Sequence, residues 1–155
     1  MTGLPLAYIM GGMNQSTKGR IVLITGSREF TKQKMVEEEL LNIQTPAFIL
    51  HGGARGADRL AAEVIHTIDG LTEMRMQYLN YHGKKGGYLR NKKMLEVMMV
   101  FRDQGYDCWA LAFHEDIKNP SPGTSGMVRL LTDEDFVVVH IDGKSGYGFT
   151  GDTTH

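Results

Sequence analysis

From Arg20 onward, short β-branched apolar runs alternate with longer stretches of helical period, and this alternation limits the fold more than any other feature. The runs are Arg20 to Ile24 (RIVLI), Ala47 to Leu50 (AFIL), Met74 to Leu79 (MRMQYL), Cys108 to Phe113 (CWALAF) and Phe136 to Ile141 (FVVVHI). Their length and their Val, Ile and aromatic content predict five strands. Between them lie Thr31 to Asn42, Asp58 to Ile68, Leu89 to Gln104 and Thr124 to Thr132, each long enough for a helix. Thr31 reads as the N-cap of the first helix, Met35, Val36, Leu40 and Ile43 as its apolar face, and Gly105 as the stop of the third.

All the runs but the third are apolar along both faces, which implies a parallel sheet covered on each side by helices. Right-handed crossovers then reduce the topology to an α/β, Rossmann-like doubly wound sheet of about five strands in the order 3-2-1-4-5. Such a sheet binds its ligand beyond the carboxyl ends of the strands, at the reversal between strands 1 and 4. The Gly-rich and charged loops fall at those ends: GSREF, HGGARGAD, GKKGGYLRN and NPSPGTSG follow strands 1 to 4 in turn. They are expected to converge on one cleft.

The chain of 155 residues has the size of one domain. Residues 1–19 read as an N-terminal extension, 20–142 as the Rossmann-like domain and 143–155 as a Gly-rich tail in which Tyr147 and Phe149 are candidates to cover a neighbouring surface. With 17 Lys plus Arg against 18 Asp plus Glu, the net charge of −1 offers no general attraction to nucleic acid or an anionic membrane. Phosphate recognition must therefore come from local geometry. The apolar run Leu4 to Met10 lacks a basic leader and is broken by Pro5, and no stretch reaches the ~18 apolar residues of a membrane span. Cys108, the single cysteine, lies in an apolar run and reads as a small core residue; a cytosolic protein is expected.

HGGARGAD, His51 to Asp58, is the strongest local signal. Gly52, Gly53 and Gly56, with Ala54 and Arg55 between them, allow backbone to approach a ligand where a strand hands over to a helix. Unpaired N–H groups and a positive dipole there favour an anion, most often a phosphate. Asp58 has two readings, a cap of its own helix or a partner for a ribose or Arg28, and His51 reads as a satisfied histidine at a strand end. After strand 1, Gly26 permits a sharp turn while Ser27 and Arg28 can reach a phosphate. Phe30 either stacks on a base or packs in the core, and Arg28 either faces the ligand or pairs with Glu29 or Asp58.

Lys84, Lys85, Arg90, Lys92 and Lys93 form a basic cluster with Tyr81 and Tyr88 interleaved; Arg90 and Asn91, at a helix start, are placed for a ligand, and Lys92 and Lys93 for solvent. Pro122 to Gly126 supplies a second phosphate cradle in which Thr124 and Ser125 offer hydroxyls beside Gly123. GKS at Gly143 to Ser145 has Val138 where a P-loop requires glycine, and there is no CxxC or HExxH. The neighbours His114, Glu115 and Asp116 lack further ligands, so no metal is expected.

Taken together and in order, VLITGSREF, ILHGGARGADRLAAE, GKKGGYLRNKKML and SPGTSGMVRLL resemble the YspA/YpsA-related branch of the SLOG superfamily over about residues 20–141. The resemblance implies a Rossmann-like domain that binds a nucleotide or a nucleotide-derived ligand, with members in phage genomes. It implies that Gly26, Ser27, Arg28, Gly52, Gly53, Arg55, Gly56, Asp58, Arg90, Asn91, Gly123 and Thr124 line the cleft. By the same analogy a homo-oligomer is expected. LOG-type phosphoribohydrolases of this superfamily carry PGGxGTxxE, whose glutamate is catalytic; here Met127 stands where it would fall, and a thioether can neither stabilise an oxocarbenium-like centre nor activate water.

The leading expectation is a binding protein for an adenine nucleotide or ADP-ribose-like ligand, acting as sensor, carrier or sequestering protein without a fixed cofactor. A hydrolase that uses Glu29 or Asp58 is the second reading. The third is a nucleic-acid-binding module, since DprA proteins also carry a SLOG-like domain.

Overall fold

The computed structural model describes residues 18–76 and 86–146, and the backbone of 148–150. The expectations for residues 1–17, for 77–79 of the third run, for Tyr81, Lys84, Lys85 and Tyr147, for the Phe149 side chain and for 151–155 lie outside the described residues. Strands β1 (Arg20–Gly26), β2 (Ala47–His51), β3 (Leu71–Arg75), β4 (Asp107–His114) and β5 (Val137–Asp142) alternate with helices α1 (Gln33–Leu41), α2 (Ala57–Ile65), α3 (Gly86–Asp103) and α4 (Pro122–Asp133). A short strand β6 (Gly148–Thr150) follows.

The sheet order is β3-β2-β1-β4-β5-β6. The first five strands are all parallel, with Val22 level with Ile49 on one side and Trp109 on the other. This is the doubly wound order expected from the sequence. The addition is β6, inside the expected tail, which runs antiparallel to β5 and pairs Phe149 with His140.

Strand periodicity divides the core into two layers. Val22, Ile24, Ile49, Leu111 and Val139 face α1 and α2, whose Val36, Leu40, Ala61 and Ile65 complete one cluster. Ile21, Leu23, Leu50, Ala110 and Val138 face α3 and α4, which contribute Met94, Met98, Met127 and Leu131. Successive strand residues thus serve opposite layers, which is why these runs are apolar without interruption.

Most boundaries shifted by a few residues; α3 begins at Gly86 rather than Leu89, so Arg90 and Asn91 lie past its first turn. The third strand lies at Leu71–Arg75 rather than Met74 to Leu79: this edge strand gives only Leu71 to one core layer and Met74 to the other, and Thr72, Glu73 and Arg75 break the apolar run. The N-cap of α1 is Lys32, without a side-chain cap bond; Thr31 instead accepts the Gln33 N–H through its carbonyl. Gly105 does stop α3. It takes a φ of +95°, and the Tyr106 and Gly105 N–H groups return to the carbonyls of Phe101 and Arg102. An edge-on contact of Tyr106 with Phe101, centroids 4.7 Å apart, closes this Schellman-type end.

Candidate functional site

Because β1 feeds helices on one face and β4 on the other, the loops at their carboxyl ends diverge and leave a crevice. A cavity of about 350 Å³ occupies it. Gly26, Ser27, Arg28 and Glu29 after β1, Ala54 and Asp58 after β2, Arg90 and Asn91 on α3, and Gly123 and Thr124 on α4 all line it. Thr25, Gly87, Met94, Ser121 and Pro122 complete the walls. Of these additions, Thr25 and Pro122 adjoin expected site residues and Met94 lies one helical turn beyond Asn91, so spacing alone could have found them.

The loop after β1 is a tight turn. Ser27 N–H donates to the Phe113 carbonyl at 2.9 Å, and Ser27 Oγ accepts the Glu29 N–H at 3.0 Å. Gly26 is required by contact: a Cβ there would sit 2.6 Å from Ala57 Cβ and 2.7 Å from the Phe113 oxygen. Phe30 takes its core reading, being 2 % exposed and packed against Phe113 with ring centroids 5.4 Å apart. It offers no face to a base. Arg28 is exposed at the rim and, among the described residues, pairs with neither Glu29 nor Asp58. Glu29 instead meets Arg55 at 3.3 Å, both well exposed, and Arg55 lies outside the cavity wall.

In HGGARGAD the N–H groups serve the loop itself. Asp58 Oδ2 accepts from Gly52 at 3.0 Å and Ala54 at 3.3 Å, while His51 Nδ1 accepts from Gly53 at 3.0 Å. The expected anion is therefore displaced here by the chain's own acceptors: a carboxylate in the first turn of α2 already occupies the position that dipole and N–H groups favour. Asp58 is buried, and burial pushes its carboxyl above the usual range against the lowering influence of His51, the two N–H bonds and Arg90. Gly52, Gly53 and Gly56 act through shape. Arg90 lies against Gly52, with Nη1 3.4 Å from its carbonyl oxygen, and Gly56 presses on the Ser27–Arg28 backbone.

The start of α4 differs. Its first turn holds no acidic residue, and Pro122 stands at the first helical position, where no N–H is needed. Ser121 Oγ bonds Thr124 Oγ1 at 2.7 Å instead of capping the backbone. Helix geometry leaves the Gly123 and Thr124 N–H groups without intrahelical partners beside the cavity. Among the described residues, nothing lies within 4 Å of a Cβ built on Gly123. Asn91, 9 % exposed, donates to the Gly123 carbonyl at a long 3.5 Å and ties α3 to this turn. Ser125 is exposed outside the wall, its N–H bonded to the Ser121 carbonyl.

Met127 is fully buried in the α3/α4 layer, away from the cavity. His114 also turns from the site, its Nε2 2.7 Å from His140 Nδ1. Lys92 and Lys93 are exposed, with Lys92 over the Tyr88 ring. His51 is a satisfied histidine, as its position suggested. Cys108 is partly buried, and burial with the neighbouring Asp107 pushes its thiol up to about 12, so it is no nucleophile. Among the described residues no helix is long and apolar enough to cross a membrane.

Fold and crevice together define a doubly wound α/β domain with an open cleft at its topological switch point. The sequence profile of the YspA, cpYpsA-related SLOG family matches residues 20–64, which span β1 to α2 and both glycine loops. The chain belongs to this family. It is similar to the Gene 61 protein of Mycobacterium phage D29, 36% identical over an alignment of 87 residues that covers 50% of this chain and 70% of that protein. No solved structure matches.

Proposed function

We propose that the cleft binds a nucleotide or nucleotide-derived ligand, an adenine nucleotide or an ADP-ribose-like molecule, and that the protein serves as its sensor, carrier or sequestering protein. The observation that carries this reading is the contrast between two helix starts in one crevice. That of α2 is neutralised by Asp58, whereas that of α4 has no acid in its first turn and opens through Gly123 onto space that no described residue occupies. A phosphate fits the α4 end, held by the Gly123 and Thr124 N–H groups and by Arg28 swinging in from the rim. The nucleoside then runs along Thr25 and Ser27 toward Ala54, Asp58 and Arg90. A phage relative makes a phage-encoded role part of the same proposal.

Binding is favoured over N-glycosidic cleavage because Met127 is sequestered in the core and Asp58 is engaged by two loop N–H groups. Glu29 is the cleft carboxylate that remains for chemistry, exposed at the rim. The test is thermal unfolding against nucleoside monophosphates, ADP-ribose, NAD and cyclic nucleotides, followed by chromatography of the incubated ligands. A ligand at about a hundred times its dissociation constant adds ~2.7 kcal/mol, or roughly 5–10 °C here. A shift with intact ligand supports binding, a consumed ligand makes the protein an enzyme, and no response to any of them overturns the reading.

A further inference from the structure

Ala54 and Asp58, the HGGARGAD residues in the cleft wall, belong to a loop whose Gly53 N–H is held by His51 at the end of β2. His51 is completely buried, and its two ring nitrogens have different duties. Nδ1 accepts the Gly53 N–H at 3.0 Å, so it must carry a lone pair. The ring proton therefore sits on Nε2, which donates to Glu73 Oε2 at 2.6 Å. Glu73 lies on the edge strand β3, level with Ile49 of β2 and two residues short of the His51–Arg75 pair. It is mostly shielded, and its other oxygen meets exposed His66 at 3.1 Å.

We propose that Glu73 is a positioning residue of the cleft: by accepting the His51 Nε2–H it fixes the one imidazole tautomer that can hold the Gly53 N–H, and through Gly53 it sets the loop that carries Ala54 and anchors Arg90. The imidazole is a rigid spacer between a β-sheet edge and a loop N–H. Loss of its Nε2 partner leaves a buried donor unsatisfied, which favours ring rotation or the other tautomer. In either case Gly53 loses its acceptor. Gly53 stands at a φ of +70°, between two N–H groups tied to Asp58, so the turn cannot release one bond without straining the others. Gly52, which precedes it, offers the carbonyl and the open side against which Arg90 lies.

The deciding property is an acceptor at position 73, not a charge. Glu73→Gln keeps the acceptor and removes the charge; Glu73→Met keeps the bulk and removes both. In the full-length, ¹⁵N-labelled protein at pH 8, wild type and Glu73→Gln are expected to show the His51 nitrogens as a single Nε2–H tautomer with a slowly exchanging Gly53 amide. Glu73→Met is expected to shift both nitrogens toward mixed tautomers and speed Gly53 exchange about tenfold, the change in equilibrium constant for one lost hydrogen bond. Titration with adenosine 5′-monophosphate is expected to weaken about tenfold in Glu73→Met and stay within about twofold of wild type in Glu73→Gln. The binding arm rests on the nucleotide reading, but the tautomer and exchange arms do not. If wild type fails to bind the monophosphate, that reading loses and these two arms still decide the role of Glu73. Wild-type nitrogen shifts and exchange in Glu73→Met would overturn the proposal, as would Glu73→Gln behaving like Glu73→Met. A changed tautomer with undiminished binding would overturn the link to the cleft.

Discussion

Replacing Gly56 by alanine tests whether the two glycine loops are built against each other. Gly56 precedes α2 at φ +82° and ψ −130°, a conformation in which an L side chain is strained. A Cβ there would overlap the Ser27 carbonyl oxygen and lie 2.6 Å from both the carbonyl carbon and oxygen of Arg28. These are backbone atoms, and the Ser27 carbonyl already accepts from Phe30 at 3.2 Å and Ala57 at 3.3 Å, so they cannot retreat cheaply. Backbone strain of about 1–3 kcal/mol and overpacking of a similar size give a loss of about 3–5 kcal/mol, a large part of the 5–15 kcal/mol typical of a domain. For a chain of this size that lowers the unfolding midpoint by roughly 10 °C. Urea unfolding should show a lower midpoint with an unchanged slope. Gly126→Ala is the matched control. Gly126 lies within α4 with nothing within 4 Å of its Cβ position, so it should gain about 0.5–1 kcal/mol from helix propensity. A loss below about 1 kcal/mol in Gly56→Ala would refute the reasoning, since backbone strain alone should exceed it.

Other expectations concern charge and the cavity. Asp58→Asn retains an acceptor for the Gly52 and Ala54 N–H groups and should keep stability within about 1 kcal/mol, whereas Asp58→Ala strands both and should cost about 2–4 kcal/mol by chemical unfolding. Glu29→Gln breaks only an exposed pair with Arg55 and should change stability by less than about 0.5 kcal/mol; if turnover of any nucleotide is found, this variant should abolish it. Gly123→Ala should leave the free protein as stable as wild type, yet weaken nucleotide binding measured by calorimetry, because its methyl enters space that no described residue uses. Burial and the neighbouring His114 hold His140 down to about 4, and burial lowers His114 despite Asp142. The unfolded chain takes up these protons near the ordinary histidine value while the folded rings do not, so their contribution is lost as pH falls from about 6.5 to about 4. His140→Gln should flatten the fall in the unfolding midpoint across that interval, and an unchanged slope would show that the pair does not cause it.

The strand order, the parallel sheet and the meeting of the loops after β1, β2 and β4 with the start of α3 were legible in the sequence because they follow from patterns the chain carries locally: apolar runs of strand length, helical spacing between them, and glycines at the carboxyl ends. The legible part ended where an element is only half buried, as β3 shows, since Glu73 and Arg75 interrupt the apolar signal while the backbone still pairs with β2. Site residues divide in the same way. Gly26 and Gly56 are glycine because backbone from another loop lies against them, and Phe30 is apolar because Phe113 waits beneath it. Residue type announced that something was required at each of these positions, and tertiary packing decided what.

The sequence by itself determined that glycine-rich helix starts would gather at the carboxyl ends of the strands of a doubly wound sheet. Only the tertiary structure decided between those starts, because the choice turns on where a side chain folds back. Asp58 reaches the Gly52 and Ala54 N–H groups and closes the α2 position to an anion, while Ser121 and Thr124 bond each other and leave the α4 position open. Hydrogen bonds made through space between residues several positions apart have no periodicity in the chain. The loop's dependence on Glu73, 22 residues beyond His51, could appear only once β2 and β3 lay side by side.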